Sequence, residues 1–197
     1  MTISEPTTVL TDYLLAGVAA WLALPLFRGA GKSRKLWSCA FICLALAALL
    51  GGTWHGFLKS DALWKATLLA AGGASFGMVA GSAVASFSGR GRDLLIALAS
   101  IKLLVYCVWM LRHDEFIYVV IDTGIAFLIL LGLHLWRFNG WIVAGVAVSI
   151  AAALVQAGGL KLHEHFNHND LYHVIQLGAI VLFYRGARRL TDSVALG

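Results

Sequence analysis

The sequence predicts an all-α, polytopic membrane protein that forms a bundle of seven transmembrane helices. Of its 197 residues, 60% are hydrophobic and 13% are charged, whereas roughly a quarter of the residues in a typical soluble domain are charged. The apolar residues fall into runs that are long enough to cross a bilayer, and the connections between these runs are short. Together these observations indicate a chain whose outer surface faces lipid.

Seven apolar runs define the predicted helices. A transmembrane helix needs about 20 predominantly apolar residues, and the runs that approach this length are Thr8–Phe27, Leu36–Phe57, Leu63–Phe87, Leu94–Leu111, Phe116–Trp136, Trp141–Gly158 and Asp170–Tyr184. The short connections predict antiparallel neighbours within a single domain that spans residues 1–197. Gly73, Gly77 and Gly81 recur at every fourth residue of the third helix, and this spacing predicts close approach of a neighbouring helix.

The distribution of Lys and Arg predicts the orientation of the bundle. Ten cationic residues lie in the connections of one side and in the tail that follows helix 7: Arg28, Lys32, Arg34, Lys35, Arg90, Arg92, Arg137, Arg185, Arg188 and Arg189. Cytoplasmic loops carry the excess of positive charge, so we expect the N-terminus outside and the C-terminus in the cytoplasm. The net charge of +5 thus belongs largely to loops that flank the membrane, and we expect no nucleic-acid partner.

Histidines concentrate on the outer side in this topology. Four of the seven fall within eleven residues around the start of helix 7: His163, His165, His168 and His173. His55 lies at the outer end of helix 2 and His113 between helices 4 and 5, so only His134 lies toward the cytoplasm. Polar residues capable of binding metal are costly to place at the mouth of a membrane helix. Their clustering therefore indicates a function.

The spacing of the cluster predicts a polar face on helix 7. If this helix begins one turn early, six polar residues lie at i, i+3, i+4, i+7, i+8 and i+11: His165, His168, Asn169, Tyr172, His173 and Gln176. Such a stripe is expected to point into the bundle, because lipid cannot satisfy it. Two of its imidazoles and His55 would supply three nitrogen ligands and leave a fourth position open, as in catalytic zinc sites. A hydrogen-bonded polar cluster without metal is the alternative interpretation, and His113 and His163 are expected to be bystanders.

Two charged residues lie within the predicted spans. Lys102 is in the middle of helix 4, and Asp122 lies about one and a half turns into helix 5. Their depths match to within a turn, and each charge alone would be expensive in a membrane. An ion pair between the two helices is therefore expected. The alternative is that Asp122 orients a histidine or a water molecule at a metal site.

The segment Asn169–Tyr184, together with His55, resembles the CREST superfamily, which contains the alkaline ceramidases and the progestin and adiponectin Q receptors. In that family a His-x-x-x-His pair opens helix 7, and a histidine near the outer end of helix 2 completes a zinc site. The resemblance implies that His55 and His173 are zinc ligands. The first helix-7 ligand of the family falls on Asn169, so His168 is expected to be the third ligand, with His165 as the alternative.

Two further departures from the family concern the acid/base residue. The serine that precedes the helix-2 histidine by one turn falls on Gly51, and the helix-3 aspartate has no clear counterpart because Asp61 lies too early. Asp12 opens helix 1 on the same side of the membrane as the histidines. It is the best-placed carboxylate, and we predict that it is the catalytic acid/base.

The predicted function is a zinc-dependent intramembrane hydrolase that cleaves an amide or ester bond of a membrane lipid, with ceramide-like substrates implied by the resemblance. One alternative is a receptor or sensor of the same architecture that contains a metal but is not a hydrolase. A second is a b-type haem protein with histidines as axial ligands. The short loops and the compact size are typical of a bacterial inner-membrane protein, whose site would then face the periplasm. The sequence leaves the oligomeric state open.

Overall fold

A computed structural model describes residues 3–163 and 166–194. In this part of the chain the structure is all-helical, as predicted. Its seven helices are α1 (Pro6–Arg28), α2 (Lys32–Gly56), α3 (Asp61–Ser86), α4 (Gly89–Met110), α5 (Ile117–Trp136), α6 (Gly140–Ala157) and α7 (His168–Ala187). Six of them, α1 to α6, are long and apolar enough to cross a membrane. The chain therefore has the character of an integral membrane protein.

Helix α7 falls outside that group of six because its first two turns are polar. It begins with His168, Asn169 and Asp170 and continues through Tyr172 and His173. The sequence-based assignment of α7 as a transmembrane helix therefore stays a prediction.

The observed helices extend beyond the apolar runs by several residues at some ends. The largest difference is at α4, which begins at Gly89 rather than at the predicted Leu94. The additional turn contains the charged residues Arg90, Arg92 and Asp93. Because these residues are not apolar, the apolar run begins only after them. Helix α7 begins two residues earlier than predicted, because Asn167 and Asp170 form a reciprocal capping box.

Six of the helices form a closed ring in the order α1, α2, α3, α5, α6, α7 and back to α1. Helix α4 lies outside this ring, where it packs mainly on α3. Its outward face is strongly apolar and exposed: Leu94, Leu98, Ile101, Leu104, Val105 and Val108. The ring leaves room for a cavity between its members, and α4 has no part in the lining of that cavity.

The glycine ladder of α3 lies directly against α2. A Cβ added at Gly77 would lie 2.9 Å from the Cβ of Ala40 and 3.0 Å from the carbonyl oxygen of Leu36. At Gly81 it would lie 2.6 Å from Cδ1 of Trp37 and 2.9 Å from the carbonyl oxygen of Ser33. The predicted close approach of a neighbouring helix is therefore confirmed, with α2 as the neighbour.

The predicted ion pair between Lys102 and Asp122 is also confirmed. The Lys102 ammonium contacts the Asp122 carboxylate, and the hydroxyl of Ser75 on α3 donates a hydrogen bond to the same carboxylate. Lys102 Nζ lies 3.0 Å from Ser75 Oγ. The three side chains connect α3, α4 and α5 at one depth. The Asp122 carboxylate is bound by Lys102 and Ser75, and among the described residues no hydrogen bond or ion pair joins it to a histidine.

Candidate functional site

The two ends of the bundle differ in their chemistry. The starts of α1, α3, α5 and α7 lie at one end with the ends of α2, α4 and α6, and we call this the histidine end. The opposite end, which we call the cationic end, contains the ends of α3, α5 and α7 and the starts of α2, α4 and α6. This arrangement follows from the antiparallel packing of consecutive helices.

A cavity of about 350 Å³ occupies the inside of the helical ring. Its deeper lining is mostly apolar and includes Leu44, Met78, Phe127, Ile180 and Phe183. The polar lining is concentrated near the histidine end, and its principal members are Asp12, His55, Gln156, Asn169, Tyr172, His173 and Gln176. The cavity thus combines an apolar interior with one polar end.

Helix α7 supplies most of the polar end. Asn169, Tyr172, His173 and Gln176 all line the cavity, and their spacing of i, i+3, i+4 and i+7 places them on one helical face. Two hydrogen bonds involve three of these side chains: Gln156 Nε2 donates to Asn169 Oδ1 at 3.0 Å, and Gln176 Nε2 donates to the Tyr172 hydroxyl at 3.4 Å. Four members of the predicted stripe therefore face the interior of the bundle.

The hydrogen bonds of Thr11 assign the tautomer of His173. The Thr11 hydroxyl donates to the carbonyl oxygens of Thr7 at 3.1 Å and Thr8 at 3.0 Å. Its single hydrogen is then occupied, so Thr11 Oγ1 accepts from His173 Nδ1, which lies 3.1 Å away. Nδ1 thus carries a proton, and Nε2 is the nitrogen that is left to contact another group.

His173 Nε2 faces a carboxylate oxygen. Asp12 Oδ1 lies 3.2 Å from Nε2, and Asp12 Oδ2 is buried without any hydrogen-bond partner among the described residues. Two lone pairs at this distance would repel each other, so a favourable contact needs a positive charge between the two atoms. A shared proton or a metal cation would each meet this requirement.

A carboxylate orients His55 through Nδ1, the nitrogen that contacts the Thr11 hydroxyl in His173. Its Nδ1 lies 3.1 Å from Glu5 Oε2, and Glu5 also contacts Lys59, with Oε1 3.5 Å from Nζ. Donation from Nδ1 to a carboxylate fixes the tautomer and leaves Nε2 as an acceptor, which is the usual arrangement of a metal-binding histidine. His55 lines the same cavity as Asp12 and His173.

The remaining predicted residues lie elsewhere. His168 is the first residue of α7; it is not part of the cavity lining, and its Nδ1 is buried without a hydrogen-bond partner in the described structure. His165 lies outside the described residues. His113 stacks on Trp109, with ring centroids 4.0 Å apart, at a distance from the cavity lining.

The described side chains do not form a complete metal cage. Within residues 3–163 and 166–194, no group of three or more His, Cys, Asp or Glu side chains is arranged to hold a metal ion. Asp12 and His173 form a pair, and His55 is the third candidate on the cavity wall. The assignment of ligands to zinc therefore stays a prediction.

Sequence reasoning missed two carboxylate contacts that support this end of the bundle, one buried and one partly exposed. Asp170 is 1% exposed; it accepts a hydrogen bond from the Thr8 hydroxyl at 2.8 Å and one from the backbone N–H of Asn167 at 2.7 Å. The spacing of Asn167 and Asp170 is a capping-box pattern that the sequence could have revealed. The contact of Glu5 with His55 joins residues fifty positions apart, so no pattern of neighbouring residues in the sequence indicates it.

Two glycines of α2 allow Asp12 to reach the cavity. A Cβ at Gly52 would lie 2.8 Å from the Cβ of Asp12, so α1 and α2 are in close contact there. A Cβ at Gly51 would lie 4.0 Å from Asp12 Oδ2. Asp12 Oδ2, which has no hydrogen-bond partner among the described residues, therefore lies beside Gly51.

Comparison with known families places the chain in a family without an assigned activity. Residues 7–192 match a family of unknown function, DUF6962, and the chain belongs to that family. No curated protein and no solved structure matches the chain significantly. The resemblance to the CREST superfamily accordingly stays a prediction that rests on the residues named above.

Proposed function

We propose that this protein is a zinc-dependent hydrolase of the membrane interior, which cleaves an amide or ester bond of a lipid. The observation that carries the proposal is the contact between His173 Nε2 and Asp12 Oδ1, 3.2 Å apart at the polar end of an apolar cavity. Two lone-pair donors at this distance, with a second carboxylate oxygen unpartnered, form an incomplete site that a cation would complete.

The separation of these two atoms is suited to zinc. Nitrogen and oxygen ligands lie about 2.0–2.1 Å from zinc in a tetrahedral site, which puts two ligand atoms roughly 3.3 Å apart. In this proposal His55 and His173 bind through Nε2, and the Asp12 carboxylate provides the third ligand group. Thr11 and Glu5 hold the two imidazoles in the required tautomer. When bound, zinc polarises a carbonyl group and acidifies a water molecule.

This assignment differs from the sequence-based expectation in the role of Asp12 and of His168. Asp12 was expected to transfer protons, but its distance from His173 Nε2 is that of a fellow ligand. His168 was expected to bind zinc, but it does not line the cavity that contains His55 and His173. Asp12 Oδ2, which has no hydrogen-bond partner among the described residues, remains available to accept a proton from the attacking water.

The cavity supports a lipid as the substrate. Its volume of about 350 Å³ falls within the range of ligand pockets, about 300–1,000 Å³. The apolar lining of Leu44, Phe127 and Phe183 suits an acyl chain. The amide side chains of Asn169 and Gln176 suit the polar group next to the scissile bond, and Gln176 Oε1 has no hydrogen-bond partner within the described part of the chain.

A second candidate is a lipid-binding receptor or sensor without hydrolase activity. The observation that favours it is the absence, within the described residues, of three ligands already in place. The glycine at position 51, where the CREST superfamily has a serine, points the same way. Such a protein would hold an amphiphile in the same cavity without turnover.

Metal analysis of the purified protein tests the zinc site. We expect about one zinc per chain in the wild type and less than about a tenth of that in His173→Ala, His55→Ala and Asp12→Asn. His113→Ala is the matched control, because His113 lies at the same end of the bundle without lining the cavity. Retention of full zinc by all three variants would exclude this ligand set, and a Soret band in the wild type would indicate haem instead.

Turnover separates the hydrolase from the receptor. Incubation of the zinc-loaded protein with ceramide and with other acyl amides and esters is expected to release fatty acid. The release is expected to fall by at least about a hundredfold in Asp12→Asn while His113→Ala stays active. Stoichiometric retention of lipid without fatty acid release would establish the receptor alternative and exclude the hydrolase.

The cation distribution supports an orientation in which the cationic end lies in the cytoplasm, so that the site opens toward the periplasm of a bacterial inner membrane. A green fluorescent protein fused after Gly197 would then fluoresce in a bacterial host, and an alkaline phosphatase fused at the same position would be inactive. The reverse result would invert the proposed orientation.

A further inference from the structure

A second, smaller pocket lies at the cationic end of the bundle, opposite the proposed zinc site. It has a volume of about 110 Å³ and is lined by Ala85, Ser86, His134, Arg137, Asn139, Arg189, Leu190 and Thr191. These residues come from the ends of α3, α5 and α7 and from the connection that leads into α6. At about 30 Å³ per water molecule, the pocket has room for a group the size of phosphate.

Three buried polar atoms of the pocket have no hydrogen-bond partner in the described structure. They are Ser86 Oγ, His134 Nδ1 and Asn139 Oδ1. Ser86 is 5% exposed and His134 is 1% exposed. Buried polar groups are almost always hydrogen-bonded, so three unpartnered atoms in one small pocket indicate that a ligand or water normally contacts them.

Ser86 and His134 can each provide a hydrogen-bond donor to the pocket. His134 Nε2 lies 2.9 Å from Ser82 Oγ; when the Ser82 hydroxyl donates to Nε2, Nδ1 carries the proton and acts as a donor. The Ser86 hydroxyl is a second donor. In that tautomer the pocket has two buried donors, Ser86 Oγ and His134 Nδ1, together with one acceptor, Asn139 Oδ1.

The rim of the pocket carries two arginines without carboxylate partners. Arg137 and Arg189 are exposed, and neither takes part in an ion pair between described residues. Arg137 lies over the ring of Trp136 and Arg189 over the ring of Trp141, with distances to the ring centroids of 5.6 and 5.4 Å. The indoles thus restrict the guanidinium groups beside the pocket.

The carboxylate that is nearest in sequence to Arg189, that of Asp192, is already hydrogen-bonded to backbone groups. Asp192 follows Thr191, and its two oxygens accept hydrogen bonds from the backbone N–H groups of Lys32 and Ser33 at 2.6 and 2.9 Å. The tail that forms one wall is itself held in place, because Arg34 Nε donates to the carbonyl oxygen of Leu190 at 2.9 Å. The pocket is therefore a built, positively charged site.

We propose that this pocket binds a phosphate group, either that of an anionic phospholipid headgroup or free inorganic phosphate. Arg137 and Arg189 contact the phosphate oxygens, as guanidinium groups are suited to do. Ser86 and His134 donate to the oxygen that reaches the buried floor, and Asn139 Oδ1 accepts from a hydroxyl of the ligand. Basic pockets between transmembrane helices on the cytoplasmic side bind anionic lipid headgroups, and the proposed orientation puts this pocket in that leaflet.

Thermal unfolding of the purified protein in neutral detergent tests the site. The ligands are inorganic phosphate against chloride at equal ionic strength, and short-chain phosphatidylglycerol against short-chain phosphatidylcholine. Either phosphate or phosphatidylglycerol is expected to raise the unfolding temperature in a saturable way. A response to inorganic phosphate identifies free phosphate as a ligand, and a response to phosphatidylglycerol alone identifies a headgroup.

Two double variants that remove the same number of charges distinguish binding in this pocket from nonspecific electrostatic attraction of anions to the cationic end. Arg137→Gln/Arg189→Gln removes the rim of the pocket, whereas Arg185→Gln/Arg188→Gln removes two arginines of the same region that do not line it. The first is expected to need at least about ten times more ligand for the same shift, and the second is expected to respond like the wild type. Ser86→Val, which fills the floor without changing charge, is expected to weaken the response as well. Absence of any shift in the wild type, or equal losses in both double variants with Ser86→Val unaffected, would overturn the proposal.

Discussion

The ion pair between Lys102 on α4 and Asp122 on α5 allows a quantitative test of the packing of α4 against the ring of helices. The Lys102 and Asp122 side chains are 17% and 4% exposed, so removal of one partner leaves a charge that neither water nor lipid can stabilise. Breaking a buried ion pair in this way costs about 3–5 kcal/mol. We therefore expect Lys102→Met and Asp122→Leu each to destabilise the protein by about that amount.

The double variant is expected to recover most of the loss. Lys102→Met/Asp122→Leu leaves neither charge in the membrane, and replacement of a buried pair by apolar residues is often neutral or stabilising. Ser75, which loses its carboxylate acceptor, retains the carbonyl oxygen of Gly72 at 3.2 Å. The coupling free energy between the two substitutions is therefore expected to be several kcal/mol, far above the roughly 0.3–0.5 kcal/mol seen at independent sites.

Thermal unfolding in detergent supplies the measurement. For a chain of this length, 1 kcal/mol corresponds to about 2–4 °C, so each single variant is expected to unfold roughly 6–20 °C below the wild type. The exposed pair of Arg92 and Asp93 on α4 is the matched control, and Arg92→Gln is expected to cost no more than about 1 kcal/mol. Additive losses in the double variant, or single losses no larger than that of Arg92→Gln, would refute the reasoning.

Three further predictions concern helix packing, helix capping and pH. Gly77→Ala is expected to cost about 1–3 kcal/mol, because its Cβ must push Ala40 and α2 away; Gly124→Ala, where nothing lies within 4 Å, is expected to be neutral, and equal melting temperatures of the two would contradict this. Asn167→Ala is expected to cost about 1 kcal/mol of stability through loss of the α7 cap, with Asn167→Ser retaining most of it; a neutral Asn167→Ala would show that the cap contributes nothing. Burial raises the pKa of Asp192, but hydrogen bonds from Ser33 and from the backbone N–H of Lys32 outweigh this effect and hold the pKa below its ordinary value. Its contribution to stability is therefore complete above the ordinary pKa of about 3.9 and is lost as the pH falls through the lower folded value; Asp192→Asn is expected to unfold more easily than the wild type at pH 6 and to lose less on acidification, and parallel pH profiles of the two proteins would exclude this role.

The features that the sequence predicted correctly each depend on a local or depth-dependent rule. Seven helices follow from seven apolar runs, and the contact of α3 with α2 follows from glycines at every fourth position. Lys102 and Asp122 could be paired because antiparallel helices bring equal depths together. No knowledge of the three-dimensional packing was required for any of these inferences.

The features that it did not predict depend on helical phase and on contacts between distant segments. His168 and His173 are five residues apart, which on a helix with about 3.6 residues per turn separates them by roughly 140° around the axis. Both cannot face one cavity when α7 is regular from its first residue, and the cap at Asn167 makes it regular there. The partners of the site, Glu5 and Thr11, come from α1 and the residue that precedes it, and nothing in their own neighbourhood distinguishes them from ordinary polar residues.

The two buried carboxylates at Asp12 and Asp122 differ in a way that bears on function. Asp122 has an internal cation, Lys102, and a hydroxyl donor, so its charge is compensated within the fold. Asp12 is equally buried, at 4% exposure, yet among the described residues its contacts comprise no Lys or Arg, and one of its oxygens has no partner. The fold thus provides a lysine for Asp122 and, among the described residues, none for Asp12. Without such a residue among its described neighbours, Asp12 needs either a proton shared with His173 or a cation from outside the chain, and we propose the second. Zinc added to the metal-free protein tests this: it is expected to raise the unfolding temperature of the wild type and to leave that of Asp12→Asn unchanged. An equal rise in the two proteins would show that the cation site lies elsewhere.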